Sequence, residues 1–338
     1  MTRTAIALPA AVLTATRWRI PLFIALVLAA CGTESPATEV DGGDPGGDGS
    51  DGGSGGGSDA PPAMLTCTGK QMQPRDATWT VGGRMVRVHV PASYDPTKPT
   101  PVVLNLHGYS GDGLQQSTIS KMLATSDANG FIALHPDGHH TPRGWNAGVC
   151  CGAAATSGTD DTGWIESVLD EAESKLCVDT KRVFATGLSN GGFMSHRLAC
   201  ELADRFAAIA PVAGVVGIPS CNPSRPVAVM HIHGDADPLI PYTGGGVNNN
   251  EPVATTIERW ATKNGCTGAP VETYRMGDAT CTTRSGCTDN ADVTLCTIAG
   301  GGHQWPGGVS IGAFLGALSN DLDATNAMWT FFAAHPRP

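Results

Sequence analysis

Positive charge is scarce in this chain. Lysine and arginine together number 21 in 338 residues, against 31 aspartates and glutamates, for a formal net charge of −10. Nucleic-acid binding rests on a basic face that neutralises phosphates, and this composition suggests none. Long apolar runs are also missing: the stretch Ile20 to Ala30 is too short to cross a bilayer comfortably. No internal repeat is visible. Metal-ligand spacing is absent too. The neighbours Cys150 and Cys151 do not make a CxxC pair, and Cys266, Cys281, Cys287 and Cys296 have no histidine at ligand spacing. Neither a metal nor a cofactor is expected.

Arg3, Arg17 and Arg19 precede the short apolar run, which is the layout of a signal peptide covering residues 1–31. Its end, Leu28-Ala29-Ala30-Cys31, resembles the lipobox of bacterial lipoproteins, and that resemblance implies that Cys31 is acylated and serves as a membrane anchor. Ordinary secretion is the other reading, and both export the protein. Residues 32–64 are rich in Gly, Ser and Asp, carry no basic side chain, and cannot bury enough apolar surface to offset their ordering entropy; they read as a self-repelling tether. The remaining domain, 65–338, keeps 18 basic and 24 acidic side chains, a net charge of −6. Membrane contact is expected through the lipid only, and nothing in the sequence fixes an oligomeric state. Ten cysteines follow Cys31, an even number in an exported chain, which argues for disulfides. The expected pairs are Cys200 with Cys221 and the last four among themselves.

Apolar and polar residues alternate between Ala77 and Val90 around Gly82-Gly83, as in an antiparallel hairpin. Short, nearly continuous apolar runs then appear at 101–106, 131–134, 183–188, 207–212, 227–232 and 293–298, the pattern of strands buried on both faces. Amphipathic stretches at 163–173, 190–203, 255–263 and 319–334 lie between or after them. This alternation predicts an α/β fold: a doubly wound, mostly parallel sheet with helices on both faces, an N-terminal antiparallel hairpin and no large lid.

The run 183–188 leads directly into Gly187-Leu188-Ser189-Asn190-Gly191-Gly192 and then into an amphipathic stretch. A Gly-x-Ser-x-Gly turn between strand and helix exposes a serine hydroxyl above a helix N-terminus, where negative charge is favoured. A serine needs a base to take its proton, and the base needs an acid to hold its tautomer. Asp235 and Asp237 follow the run 227–232, and His303 in Gly300-Gly301-Gly302-His303-Gln304-Trp305 follows the last run. Ser, acid, His is the chain order of α/β-hydrolases. His303 is the candidate base, since only the tail residue His335 otherwise follows the acid; His231 and His233 read as satisfied polar groups at a strand end. For the oxyanion, the candidate donors are the Asn190 N–H and the Tyr109 N–H, the latter in the loop His107 to Gly113, which lacks the Lys-Ser/Thr ending of a phosphate loop.

Leu106-His107-Gly108-Tyr109, Gly144-Trp145-Asn146-Ala147-Gly148-Val149-Cys150-Cys151-Gly152, Asp160-Asp161-Thr162-Gly163, the Ser189 turn, His233-Gly234-Asp235-Ala236-Asp237 and Gly301-Gly302-His303-Gln304-Trp305-Pro306-Gly307 together resemble the polyhydroxybutyrate depolymerase and feruloyl esterase group, a carbohydrate esterase branch of the α/β-hydrolases. The resemblance runs from about Thr78 to the C-terminus. It implies that the acid is Asp237, and it departs from the family at Asp235, where threonine is usual; an altered pH profile is the expected consequence. It implies that Trp145 and Trp305 lie in motifs that border the cleft, which makes them candidates for contacting substrate, with buried structural tryptophans the equal alternative; His107 is a further candidate substrate contact. Asp160 and Asp161 read as helix-capping residues. The expected activity is cofactor-free hydrolysis of feruloyl or acetyl esters of plant polysaccharide, or of hydroxyalkanoate oligomers, with soluble or oligomeric esters favoured over crystalline polymer. Two other classes compete. One is a catalytically silent surface lipoprotein that binds a glycan or a partner, which has no need of the full Ser, Asp and His set. The other is a peptidase of the same fold, for whose usual extra domain there is no room.

Overall fold

The computed structural model of the protein describes residues 67–338 with the exception of Val247. The expected signal peptide, the acylated Cys31 and the acidic tether lie outside the described residues.

Strands β1 (Asp76–Val81) and β2 (Arg84–His89) form the expected antiparallel hairpin. Gly82 and Gly83 join them with φ of 52° and 80°, a left-handed pair that two-residue hairpin turns require and that glycine adopts without strain. The sheet continues through β3 (Thr100–Leu106), β4 (Ile132–Pro136), β5 (Val178–Leu188), β6 (Ala208–Val212), β7 (Ala228–Gly234), β8 (Val271–Met276), β9 (Ala279–Arg284) and β10 (Val293–Ile298). Its ten strands are ordered β1-β2-β4-β3-β5-β6-β7-β10-β9-β8. Strands β4, β3, β5, β6, β7 and β10 run parallel, and antiparallel pairs finish both edges.

The helices are α1 (Gly113–Ser120), α2 (Met122–Asn129), α3 (Gly152–Thr156), α4 (Asp161–Lys175), α5 (Asn190–Glu201), α6 (Val253–Lys263) and α7 (Ala324–Ala334). Two buried clusters divide them between the faces of the sheet. Ile165 and Val168 of α4, Phe193 and Leu198 of α5 and Trp260 of α6 pack with Val102, Leu104, Val183 and Ala185 on one face. Ile119 of α1, Met122 of α2 and Phe332 of α7 pack with Val103, Phe184 and Leu188 on the other. Successive residues of β3 and β5 thus enter opposite cores, as the period of two dictates, and each fully buried aliphatic side chain contributes about 1.5–3 kcal/mol.

Cys200–Cys221, Cys266–Cys287 and Cys281–Cys296 are bonded, as expected, and Cys67–Cys177 and the adjacent Cys150–Cys151 complete the set. The Cys281–Cys296 bond joins directly paired positions of β9 and β10. The β8–β9 edge was not anticipated. Its residues, Val-Glu-Thr-Tyr-Arg-Met and Ala-Thr-Cys-Thr-Thr-Arg, are mostly exposed or half-buried and contain no apolar run.

Candidate active site

The carboxyl ends of the parallel strands share one edge of the sheet, and three connections leave it. Between β5 and α5 stands Ser189, with φ of 56° and ψ of −122°, a conformation that non-glycine residues rarely adopt. The turn is held by backbone: Ser189 N–H donates to Val212 O at 2.9 Å and Phe193 N–H to Ser189 O at 2.9 Å. The flanking glycines are required by close approach, since a Cβ on Gly187 would lie 2.6 Å from Leu106 O and one on Gly191 2.2 Å from the same oxygen. Ser189 is half-buried, whereas its neighbours Leu188 and Asn190 are buried.

Asn190 opens α5, where the first N–H groups lack intrahelical partners. Its side chain is fully buried and clamps the loop that contains Trp145: Oδ1 accepts from Trp145 N–H at 2.7 Å, and Nδ2 donates to Trp145 O at 3.0 Å. Tyr109 lies against the same loop, so closely that a Cβ on Gly152 would fall 2.5 Å from its hydroxyl oxygen.

The second connection follows β7. Asp237 Oδ1 accepts the N–H groups of Leu239 and Ile240, both at 2.8 Å. Asp237 Oδ2 faces His303 Nδ1 at 2.7 Å, and His303 comes from the third connection, after β10. Asp237 is 5% exposed and His303 3% exposed. Burial pushes the Asp237 carboxyl up, but the hydrogen bond and charge of His303, with His233 and the Ile240 amide, outweigh it and hold the group below the usual aspartate value. No hydrogen bond joins His303 to the Ser189 hydroxyl among the described residues.

The competing acid, Asp235, is exposed, and its Oδ1 accepts the Gly300 N–H at 2.6 Å, stapling the second connection to the third. Asp160 caps α4 by accepting the Gly163 N–H at 2.9 Å, as expected. Asp161 does not cap. It is fully buried, pairs with Arg84 at 2.5 Å and accepts the Asn146 N–H at 2.6 Å, tying the Trp145 loop to the N-terminal hairpin.

The three expected substrate contacts are all buried. Trp145 is 0% exposed with its indole N–H on His107 O at 2.9 Å, and Trp305 is 0% exposed with its indole N–H on Thr325 Oγ1 at 3.0 Å. His107, 1% exposed, accepts the Gly138 N–H at Nε2 and donates from Nδ1 to Gly108 O at 2.7 Å. All three are held by hydrogen bonds inside the fold. Sequence reasoning missed the Asn190 clamp and Gln304, whose amide binds Gly312 O and Gly316 O and so pins the loop beside His303. A buried polar side chain leaves no trace in apolar periodicity, although Gln304 adjoins His303. Among the described residues no three His, Cys, Asp or Glu side chains form a metal-binding group, and no helix is long and apolar enough to cross a membrane.

The sequence profile of the prolyl oligopeptidase family matches residues 157–221, which include β5, the Ser189 turn and α5. Feruloyl esterase B of Piromyces equi is 34% identical over 234 residues, covering 65% of this chain but only 42% of that protein. Feruloyl esterase C of Emericella nidulans is 32% identical over 279 residues, covering 79% of this chain and 90% of that protein. Among solved structures, an acetyl xylan esterase from Aspergillus awamori superposes with a TM-score of 0.55 at 17% identity, over 77% of this chain and all of that one, a likeness of fold. Sequence likeness over nearly the whole length of a relative and a shared α/β-hydrolase architecture lead to one assignment: the chain belongs to the feruloyl esterase family of carboxylic ester hydrolases.

Proposed function

We propose that the protein is an exported serine esterase that hydrolyses carboxylic esters through an acyl-enzyme, with Ser189 as nucleophile, His303 as base and Asp237 as the acid that orients it. The observation that carries the reading is the buried 2.7 Å contact between Asp237 and His303 Nδ1, made at the sheet edge from which Ser189 also projects. Asp237 keeps the proton on Nδ1 and leaves Nε2 as the acceptor. The contact between Nε2 and the hydroxyl forms as substrate binds, since catalytic hydrogen bonds that are loose in the free enzyme tighten in the Michaelis complex. Ser189 Oγ then attacks the carbonyl carbon and its proton passes to Nε2. The carbonyl oxygen becomes the oxyanion, received by the Asn190 and Tyr109 N–H groups, each donor contributing about 3 kcal/mol at the transition state. Collapse expels the alkoxide, which takes the proton from Nε2. Water, activated by the same nitrogen, releases the acid and restores Ser189.

The substrates are feruloyl esters of plant polysaccharide, in line with the feruloyl esterase names of the relatives, or acetyl esters, in line with the acetyl xylan esterase of like fold, or hydroxyalkanoate oligomers. Five disulfides suit an oxidising compartment, consistent with export; the lipobox-like Leu28-Ala29-Ala30-Cys31 is what supports anchoring through Cys31. The test is hydrolysis of p-nitrophenyl esters by the full chain, followed by feruloyl, acetyl-xylan and 3-hydroxybutyrate oligomer substrates. Wild type should turn over and Ser189→Ala should lose all but background activity. A folded wild-type protein without esterase activity would shift the reading to glycan or partner binding.

A further inference from the structure

Behind the Asp237–His303 pair, three histidines stand in file through the core. His231 and His233 are two residues apart on β7 and therefore share a face of the sheet. His196 of α5 meets them there, and Trp260 of α6 closes the far end. Trp260 Nε1 lies 3.0 Å from His196 Nδ1, His196 Nε2 3.3 Å from His231 Nδ1, His231 Nε2 3.0 Å from His233 Nδ1, and His233 Nε2 2.9 Å from the Ile240 carbonyl oxygen. None of these four side chains is more than 1% exposed.

The two ends fix the direction of the file. An indole N–H can only donate and a carbonyl oxygen can only accept, whereas a neutral imidazole does one of each. His196 must therefore accept at Nδ1 and donate from Nε2, and the same assignment follows for His231 and His233. A second proton on any ring would set two N–H groups against each other or against the indole. Burial, the largest cause in each case, lowers all three below the ordinary histidine value: His196 to about 3, His231 well below it, and His233 despite the opposing charge of Asp237. The other groups facing the file are the Gly214 carbonyl and Arg259 near His196, and His303 near His233.

The file ends at the candidate triad. His233 Nε2 lies 3.6 Å from Asp237 Oδ2, and its acceptor, Ile240, donates its own N–H to Asp237 Oδ1 at 2.8 Å. Ile240 is thus held by its carbonyl to His233 and by its amide to the carboxylate.

We propose that His233 is a positioning residue for Asp237, locked as an Nε2–H donor by the His231–His196–Trp260 file, and that the file braces the carboxylate without conducting protons. The inference rests on Asp237 being the triad acid. Moving protons along the file would turn a ring N–H toward the Trp260 N–H and a lone pair toward the Ile240 oxygen, so the reversed file loses both terminal bonds. The carboxylate that must hold His303 in one tautomer is itself held by groups with only one tautomer open to them.

The tautomers are read directly by ¹⁵N NMR of histidine-labelled full chain, in wild type and in Ser189→Ala. The expected spectrum has Nε2 protonated and Nδ1 bare in His196, His231 and His233 from about pH 5 to 8, the range in which an ordinary histidine titrates. An Nδ1–H or a doubly protonated ring at any of the three overturns the inference. His233→Leu should lower kcat by about 10- to 100-fold, the scale of a mispositioned catalytic group, with KM within about twofold. His233→Gln, whose amide can still donate to Ile240, should restore kcat to within about threefold of wild type. Equal kcat losses in the two variants, or none in His233→Leu, would contradict the positioning role. The wild-type spectrum needs no substitution and decides the matter if a variant fails to fold. Hydrolysis persisting in Ser189→Ala would sink the triad reading and leave the tautomers as found, whereas wrong tautomers beside an inactive Ser189→Ala would sink this inference alone.

Discussion

Asp237 accepts three hydrogen bonds, two from the backbone of its own turn and one from His303, so its orientation is set before any substrate arrives. Asp237→Asn keeps the shape and turns an amide toward Nδ1, favouring the wrong tautomer; kcat should fall by about 10⁴-fold while the thermal midpoint moves little. Asp235→Ala breaks only an exposed staple to Gly300 and should change kcat less than about threefold, a contrast that steady-state kinetics on the two variants checks. Trp145 offers a second contrast. Trp145→Phe removes a buried hydrogen bond to His107 O and should cost about 1–3 kcal/mol in denaturant unfolding with KM unchanged, because the indole is fully buried. A raised KM at unchanged stability would restore the substrate-contact role.

At the scale of elements, the Ser189 turn depends on β3 as much as on its own residues. Gly191→Ala would drive a Cβ to 2.2 Å from Leu106 O and to 2.8 Å from His107 O, where only backbone could yield. The expected result is loss of soluble folded protein, or a drop of several kcal/mol with hydrolysis abolished, read by circular dichroism and esterase assay. Gly187 and Gly191 were legible as parts of a tight turn, but the strand they pack against was not. The hairpin was legible because alternation and a Gly-Gly turn coincide, and the central strands because their faces are both buried. Strands β8 and β9 were illegible because edge residues such as Thr282 and Arg275 carry no apolar signature, and α1 because Gly113 to Ser120 has no apolar face to speak of. Of the candidate site, Ser189 and His303 could be placed from chain order and strand ends, whereas the choice of Asp237 over Asp235 needed the family resemblance. The supporting side chains of Asn190, Asp161 and His196 could not be placed, because Trp145, Arg84 and His231, with which they pair, lie 45, 77 and 35 residues away and only the fold brings them together.

For the whole molecule, the buried histidines set the response to acid. Burial holds His135 and His196 at about 3 and lowers His231, His233 and His107 as well, so in the folded state they stay neutral at pH values where the unfolded chain binds protons. Stability should therefore fall as pH drops below about 6.5, by about 1.4 kcal/mol per pH unit for each fully neutral histidine, a loss that continues for His135 and His196 until about pH 3. The depressed Asp237 acts in the same sense, contributing stability above the ordinary carboxylate value that is lost as pH falls through its folded value. Urea midpoints at pH 7 and pH 5 test this; a midpoint that stays level or rises at pH 5 contradicts it.

Whether the fold makes one serine hydroxyl a nucleophile is read by locating a covalent adduct. The full chain should react with a fluorophosphonate at one site, and peptide mapping by mass spectrometry should place the adduct on Ser189, with labelling lost in Ser189→Ala and strongly slowed in Asp237→Asn. A folded protein that takes no label, or takes it on another residue, would contradict the account.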